Sequence, residues 1–324
     1  MNTKIVYVLV SSEDDIYLEQ AYVSMASVKH HMPDAHICLL TDKLSEKSFV
    51  GPRKNEVGLA DEIISVDLDP LLKAQKRSRL LKTNFRNYIE GDLLFIDCDT
   101  VITRPLYDIE NVGGDICACR DSHSSFEDNP CRQLCIDHGH ILGWAIDEEM
   151  EYYNSGVMLV KDNDLTKEFF KKWNMEYLKG YDKGVSMDQP SLAKTNFEYD
   201  HIICPLPDEW NCEFKFGVRY LRDAYIVHYL CTNVRPNDRM PFLLNEKYIF
   251  DNIKVNGIIP RDVSDLFDNV FAGIPELTLL LSGSDVKACL NPICQAVMNG
   301  SKRNTLLYRF LVNVLKLKNL FIRL

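Results

Sequence analysis

LLFIDCDTVIT, residues 93–103, is a strand-like apolar run that ends in two carboxylates, Asp97 and Asp99, with one residue between them. Side chains two apart in a strand point to the same side. The pair can therefore reach one point at the strand's carboxyl end, where open α/β sheets place their ligands. Two hard oxygen donors at one point suit Mg²⁺ or Mn²⁺, ions that complete their shell with substrate phosphates. A D-x-D triplet is also common by chance, so its meaning depends on what surrounds it.

Outward from this run the chain alternates strands and helices. Residues 5–10 are a continuous apolar run ending in Ser-Ser-Glu-Asp-Asp, the pattern of a buried parallel strand and its loop. Residues 17–31 have helical spacing, 35–40 and 62–66 read as strands, and 73–88 reads as a basic helix leading into the D-x-D strand. Further strands are predicted at 115–120, 155–160 and 224–229, with a helix at 165–179. The fold class is α/β, a mostly parallel sheet with helices on both faces. A polar, His-rich stretch at 121–146 is long for a connection inside such a sheet and reads as a functional flap or a disordered insert.

The 324 residues allow one large α/β domain or two small ones. A formal charge of −10 argues against a nucleic-acid partner, which needs a basic face. Of the eleven cysteines, Cys38, Cys98 and Cys204 sit in apolar runs as small hydrophobes. Cys117 and Cys119, with Cys131 and Cys135, lie near His123, His138 and His140, but these spacings fit no standard zinc finger or ribbon. The odd cysteine count and the strand-like start after Met1 predict reduced thiols in a cytoplasmic setting. No apolar run is long enough to span a membrane.

Residues 301–324 differ in character, with six basic and no acidic residues. Leu306, Leu307, Phe310, Leu311, Val314, Leu317, Phe321 and Leu324 recur at helical spacing on one side. A basic amphipathic helix on an acidic protein predicts contact with an anionic membrane surface, the alternative being a helix docked on the protein's own core.

Four other segments bear on the D-x-D. Tyr152–Val160, YYNSGVMLV, puts Asn154 and Ser155 at a strand mouth. Met187-Asp188-Gln189-Pro190 makes Asp188 either a helix N-cap or a carboxylate facing a polyhydroxylated ligand. His228 lies in the short strand YIVHY and is either a core residue or a third metal ligand, imidazole favouring Mn²⁺ over Mg²⁺. Arg79, Lys82 and Arg86 fall at helical spacings of three and four, suited to neutralising a diphosphate.

In this order the segments resemble the glycogenin and bacterial lipopolysaccharide galactosyl- and glucosyltransferase family, retaining enzymes of the GT-A fold. The resemblance covers about the first 240 residues. It implies a catalytic domain at 1–240, a helical extension at 241–300 and the basic tail at 301–324. It implies that Asp97 and Asp99, with His228 from the family's H-F motif, hold the Mn²⁺ (or Mg²⁺) that bridges the donor diphosphate. Asp14, Asp15 and Tyr17 match the loop that holds the uracil of a UDP-sugar. Arg79 or Lys82 matches the basic residue ahead of the D-x-D. Asn154 matches a residue near donor sugar and acceptor, while Asp188 and Gln189 match the pair that contacts the transferred hexose, galactose or glucose.

Two departures stand out. The family's H-F-x-G-x-x-K-P-W is here HYLCTNVRPN, with Cys231 for the Gly, Arg235 one step late for the Lys, and no Trp. The 121–146 insert does not align and is a candidate acceptor site. The implied activity is transfer with retention, by front-face substitution or through a covalent intermediate on Asp188, to a glycan or lipid-linked acceptor. Capsule or lipopolysaccharide assembly at the cytoplasmic membrane face is the implied setting. The alternatives are a nucleotidyltransferase, which would carry a Gly-rich basic loop where this chain has SSEDDIY, and a non-catalytic sugar- or membrane-binding protein.

Overall fold

The computed structural model describes residues 1–144, 150–216, 218–229, 242–274, 290–292 and 295. Two compact units are present, Met1–Glu276 and Leu277–Leu324. Arg235 and the basic segment 301–324 lie outside the described residues, as do 230–237 of the HYLCTNVRPN stretch.

The first unit opens with β1 (Lys4–Leu9), α1 (Tyr17–His31) and β2 (Ile37–Asp42), then two short helices, α2 (Lys43–Glu46) and α3 (Pro52–Val57). β3 (Glu62–Val66), α4 (Ala74–Lys82), β4 (Leu93–Ile96), β5 (Thr100–Ile102) and β6 (Ile116–Arg120) follow. After α5 (Arg132–Ile141) come β7 (Tyr153–Val160), α6 (Asp164–Asp182), α7 (Gln189–Glu198), β8 (Ile203–Pro205) and β9 (Cys212–Glu213). β10 (Ile226–His228), α8 (Lys247–Asn256) and α9 (Arg261–Asp268) complete the strands and α-helices among the described residues of this unit.

Seven strands form the main sheet in the order β3-β2-β1-β4-β7-β6-β8. Only β7 runs against its neighbours β4 and β6, so the sheet is mostly parallel. Its central strands are apolar on both sides because both faces are covered. On β1 the alternation is plain: Ile5, Tyr7 and Leu9 pack with Leu18, Ala21 and Met25 of α1. Val6, Val8 and Val10 pack instead with Leu81 of α4 and Phe169, Phe170 and Trp173 of α6. The same parity on β4 sends Phe95 to the α4 face, and continuing it sends Asp97 there too. A smaller sheet, β5-β10-β9, lies beyond the end of β4.

The basic helix expected over 73–88 ends at Lys82, followed by a separate 3₁₀ turn at Phe85–Asn87. Arg86 turns inward, donates to the carbonyls of Ile89 and Gly91, and pairs with Asp162 at 3.4 Å. It staples a loop and faces no ligand, contrary to its expected place beside a diphosphate. The 121–146 stretch carries a 3₁₀ turn at Asp121–His123 and then α5. Cys117 and Cys119 are buried in the core of β6, their thiols bonded to the carbonyls of Gly113 and Pro207. Among the described residues no Cys–His group has metal-binding geometry.

α8 and α9 share a core with α1, in which Phe250, Ile253, Val263 and Leu266 meet Ile16 and Val23. Beside it lies a buried charge cluster. Arg53 Nε is 3.2 Å from Glu19, and Lys254 Nζ is 4.0 Å from the same carboxylate. Glu56 is also fully buried here, and burial together with the charge of Glu19 pushes its carboxyl up to about 7. A carboxyl whose folded pKa is raised binds more protons folded than unfolded, so its contribution to stability falls as pH rises from about 4.5 to about 7. Glu56→Gln is therefore expected to raise the melting temperature at pH 8 and leave it nearly unchanged at pH 5. The gain is bounded by about 3 kcal/mol, the free-energy equivalent of the shift. Thermal melts of both proteins at the two pH values check this.

Candidate active site

The D-x-D does not lie in a strand, as its spacing suggested; β4 ends at Ile96 and Asp97–Asp99 form the bend into β5. The two carboxylates still converge, because β5 pairs antiparallel with β10 and sets Thr100 opposite His228. His228 Nε2 lies 3.1 Å from Asp99 Oδ1. Asp97, Asp99 and His228 each present a ligand atom within 4.8 Å of the others.

Antiparallel β7 brings its first residues beside the last of β4: Ile96 pairs with Val157, and the Asp97 N–H donates to Gly156 O at 2.8 Å. That places Asn154 and Ser155 next to the carboxylates. Gly156 is required by close approach. A Cβ there would overlap His228 Cε1 and come within 2.8 Å of His228 Nδ1 and of Asn154 Oδ1.

Asp188 precedes α7 but does not cap it with its side chain. Its carboxylate faces the cleft instead, with Arg79 Nε at 2.9 Å, Lys82 Nζ at 3.7 Å and the Ser155 hydroxyl donating at 2.6 Å. Trp173 Nε1 donates to the Asp188 carbonyl at 3.1 Å and holds the backbone in place. Burial alone would raise the Asp188 carboxyl, yet Arg79, Lys82 and Ser155 hold it well below the usual carboxylate range. Lys82 bridges to Asp97, bonding its two oxygens at 2.9 and 2.8 Å. Burial pushes Asp97 up against the pull of Lys82; burial is also the largest influence at Asp99, but there His228, a backbone hydrogen bond and Lys82 together hold it down. Three carboxylates thus face two cations, leaving a negative excess among these groups that favours a further cation.

These groups line a cleft of about 590 Å³, within the range of small-molecule sites. Tyr17 and Gln189 also line it. Asp14 and Asp15 do not: the Asp15 carboxylate accepts from Ser11 Oγ at 2.6 Å and Ser12 N at 2.8 Å, ordering its own loop. Lys254 of α8 fastens that loop by donating to the carbonyls of Glu13 and Asp15. A second cavity of about 210 Å³ adjoins the first and shares Asn154 and Gln189 with it. Its walls include Cys135 and His138 of α5 together with Tyr152, Lys215 and Phe216, so the insert does border the site.

Residues 79–252, more than half of the chain, match the family of nucleotide-diphospho-sugar transferases. The chain belongs to that family. The transferase has the GT-A fold, and solved structures share it. The galactosyltransferase LgtC in complex with donor and acceptor sugar analogs is 17% identical with a TM-score of 0.50, over 81% of this chain and 99% of that one. The bifunctional glycosyltransferase WbbM is 14% identical with a TM-score of 0.51, over 82% of this chain and 51% of that one. No curated protein matches in sequence. The family makes this chain a glycosyltransferase acting on a nucleotide-sugar donor and an acceptor. Among the described residues no helix is long and apolar enough to cross a membrane.

Three residues of the site were not singled out from sequence: Asp121, Asn211 and Gly156. Asp121 Oδ1 accepts from Gln189 Nε2 at 2.6 Å and Asn154 Nδ2 at 3.2 Å. Asn211 Oδ1 lies 3.0 Å from His228 Nδ1. Neither carries a spacing signal, since their partners are remote in sequence. Asp121 opens the insert that did not align. Gly156 stood inside the N-S-G-V motif, where its reason was invisible.

Proposed function

We propose that the transferase moves a hexose from a UDP-sugar to a glycan or lipid-linked acceptor. Asp97, Asp99 and His228 would hold Mn²⁺, or Mg²⁺, against the donor diphosphate. The observation that carries this is the convergence of those three side chains in one cleft with Arg79, Lys82, Asp188 and Gln189. Two hard oxygens and one imidazole fit Mn²⁺. Bound there, the ion would neutralise charge building on the leaving diphosphate.

The chain's own residues supply the rest. Arg79 and Lys82 add positive charge beside the same position, preorganised by Asp188 and Asp97. Asp188, held ionised by its partners, and Gln189 face the sugar, with Asp188 placed to offset oxocarbenium character. Tyr17 is placed to stack on the base. Transfer with retention follows the family resemblance, the leaving phosphate taking the acceptor's proton. The second cavity, below the size of a whole-ligand pocket, suits the terminal sugar of an acceptor. Residues 301–324 are proposed to rest on the anionic cytoplasmic membrane face, as capsule or lipopolysaccharide assembly would require. Deleting them should release the protein from anionic vesicles, and unchanged binding would refute the anchor.

Slow hydrolysis across a panel of nucleotide sugars, with Mn²⁺, Mg²⁺ or EDTA, tests the reading. Metal-dependent turnover of one UDP-hexose is expected. Turnover unaffected by EDTA, or confined to donors other than UDP-sugars, would overturn it. Lys254→Met should raise the donor KM roughly tenfold with little change in kcat, since it removes charge-assisted bonds that order the Asp14–Asp15 loop. Steady-state kinetics on the donor identified by the panel decide this, and an unchanged KM would detach that loop from donor binding.

A further inference from the structure

We infer that a polarised chain of one carboxylate and two side-chain amides, Asp121–Asn154–Asn211, makes Asn211 a positioning residue for the metal centre by holding a proton on His228 Nδ1. The inference rests on the proposal that His228 is a metal ligand.

The polarity can be worked out from groups whose hydrogen-bonding sense is not open to choice. The backbone N–H of Gly156 can only donate, and it points at Asn154 at 2.7 Å. The atom it meets must therefore be the Asn154 carbonyl oxygen, Oδ1. At the other end of the same amide Asp121 Oδ1 lies 3.2 Å from Nδ2, and a carboxylate accepts. Two independent neighbours thus set Asn154 the same way round.

Asn211 approaches that same Asn154 Oδ1 at 3.0 Å. An oxygen acceptor requires a donor, so the Asn211 atom there is Nδ2 and its oxygen faces the other way. That oxygen lies 3.0 Å from His228 Nδ1. Only a protonated Nδ1 can satisfy it. The remaining nitrogen, Nε2, is the atom 3.1 Å from Asp99 Oδ1, an acceptor that asks for a proton until a metal ion takes the place of that proton. With the other proton held on Nδ1, Nε2 is the nitrogen whose lone pair is left for a metal. Asn154, Asn211 and His228 are all buried, so water offers no easy substitute for any link.

The same chain reaches the sugar side. Gln189 donates through Nε2 to Asp121 Oδ1 at 2.6 Å, which turns its amide oxygen away from Asp121. One carboxylate, Asp121, accordingly orients amides that border both cavities.

Long-range ¹H–¹⁵N spectra of the metal-free protein read the tautomer directly, with His228→Gln used to assign the signal. His228 Nδ1 is expected to carry a proton. Mn²⁺ titration by calorimetry of wild type and Asn211→Leu provides the second readout. Loss of an outer-shell partner should weaken Mn²⁺ binding about ten- to a hundredfold. A bare Nδ1 in the wild type, or undiminished Mn²⁺ affinity in a folded Asn211→Leu, would overturn the inference. If Asn211→Leu does not fold, the state of Nδ1 in the wild type still decides it. Wild type that binds no Mn²⁺ would instead remove the metal site, while the tautomer reports on the amide chain separately.

Discussion

Asp99→Asn is expected to lower metal-dependent donor turnover by about a thousandfold or more, with the fold retained. The substitution keeps the shape of the side chain and a polar contact to His228, so circular dichroism and melting should change little. What it removes is one of two anionic oxygens in a three-ligand set. Several kcal/mol of charge stabilisation on a leaving diphosphate correspond to about three orders of magnitude in rate. Turnover measured at saturating Mn²⁺ separates lost affinity from lost chemistry. Wild-type rates in the variant would mean that Asp99 holds no catalytic metal. Lys82 cannot compensate, because it is already committed to Asp97 and Asp188.

The second large effect comes from adding a single methyl group. Gly156→Ala drives a Cβ into the His228 ring and the Asn154 amide oxygen, both within 2.8 Å. His228 is buried between β5 and β9 and cannot simply swing away. The ring must be displaced or β7 must shift. Overpacking of this kind costs about 1–3 kcal/mol of stability. The functional loss should be larger, because displaced imidazole and misplaced Asn154 disturb the metal ligands and the sugar-facing amides together. Mn²⁺ affinity is expected to fall by more than a hundredfold, read by calorimetry beside a thermal melt. A variant that binds Mn²⁺ like wild type would show that the ring position has slack and that Gly156 is not demanded by His228. Glycine at this position has nothing to do with backbone dihedral freedom; it is the thickness of a ring that excludes a side chain.

Much of the architecture could be read directly from residue order. Continuous apolar runs such as 5–10 and 93–96 mark strands buried on both faces, and α1 and β3 appear with the expected bounds. The D-x-D, N-S-G-V, D-Q-P and H-Y segments were recognisable because each carries its chemistry within a few adjacent residues. Where expectation and structure part, the cause is a partner distant in sequence. Arg86 was grouped with Arg79 and Lys82 by helical spacing, but Asp162 and two carbonyls hold it elsewhere. Asp188 had two readings of comparable merit from sequence; its side chain does not cap the helix and is held instead by Arg79, Lys82 and Ser155.

The order of elements along the chain already implied an α/β sheet with a carboxylate pair at the carboxyl end of a strand, because local pattern and short motifs encode those features, and the motif series resembled the GT-A family. It could not say that the D-x-D is a bend, that Gly156 makes room for His228, or that Asp121 and Asn211 belong to the site. Those facts arise when antiparallel β7 and the β5–β10 pairing bring residues more than a hundred positions apart within hydrogen-bond distance, as with Asp99 and His228. Hydrogen-bond direction and close packing are properties of neighbours in space, and only folding chooses the neighbours.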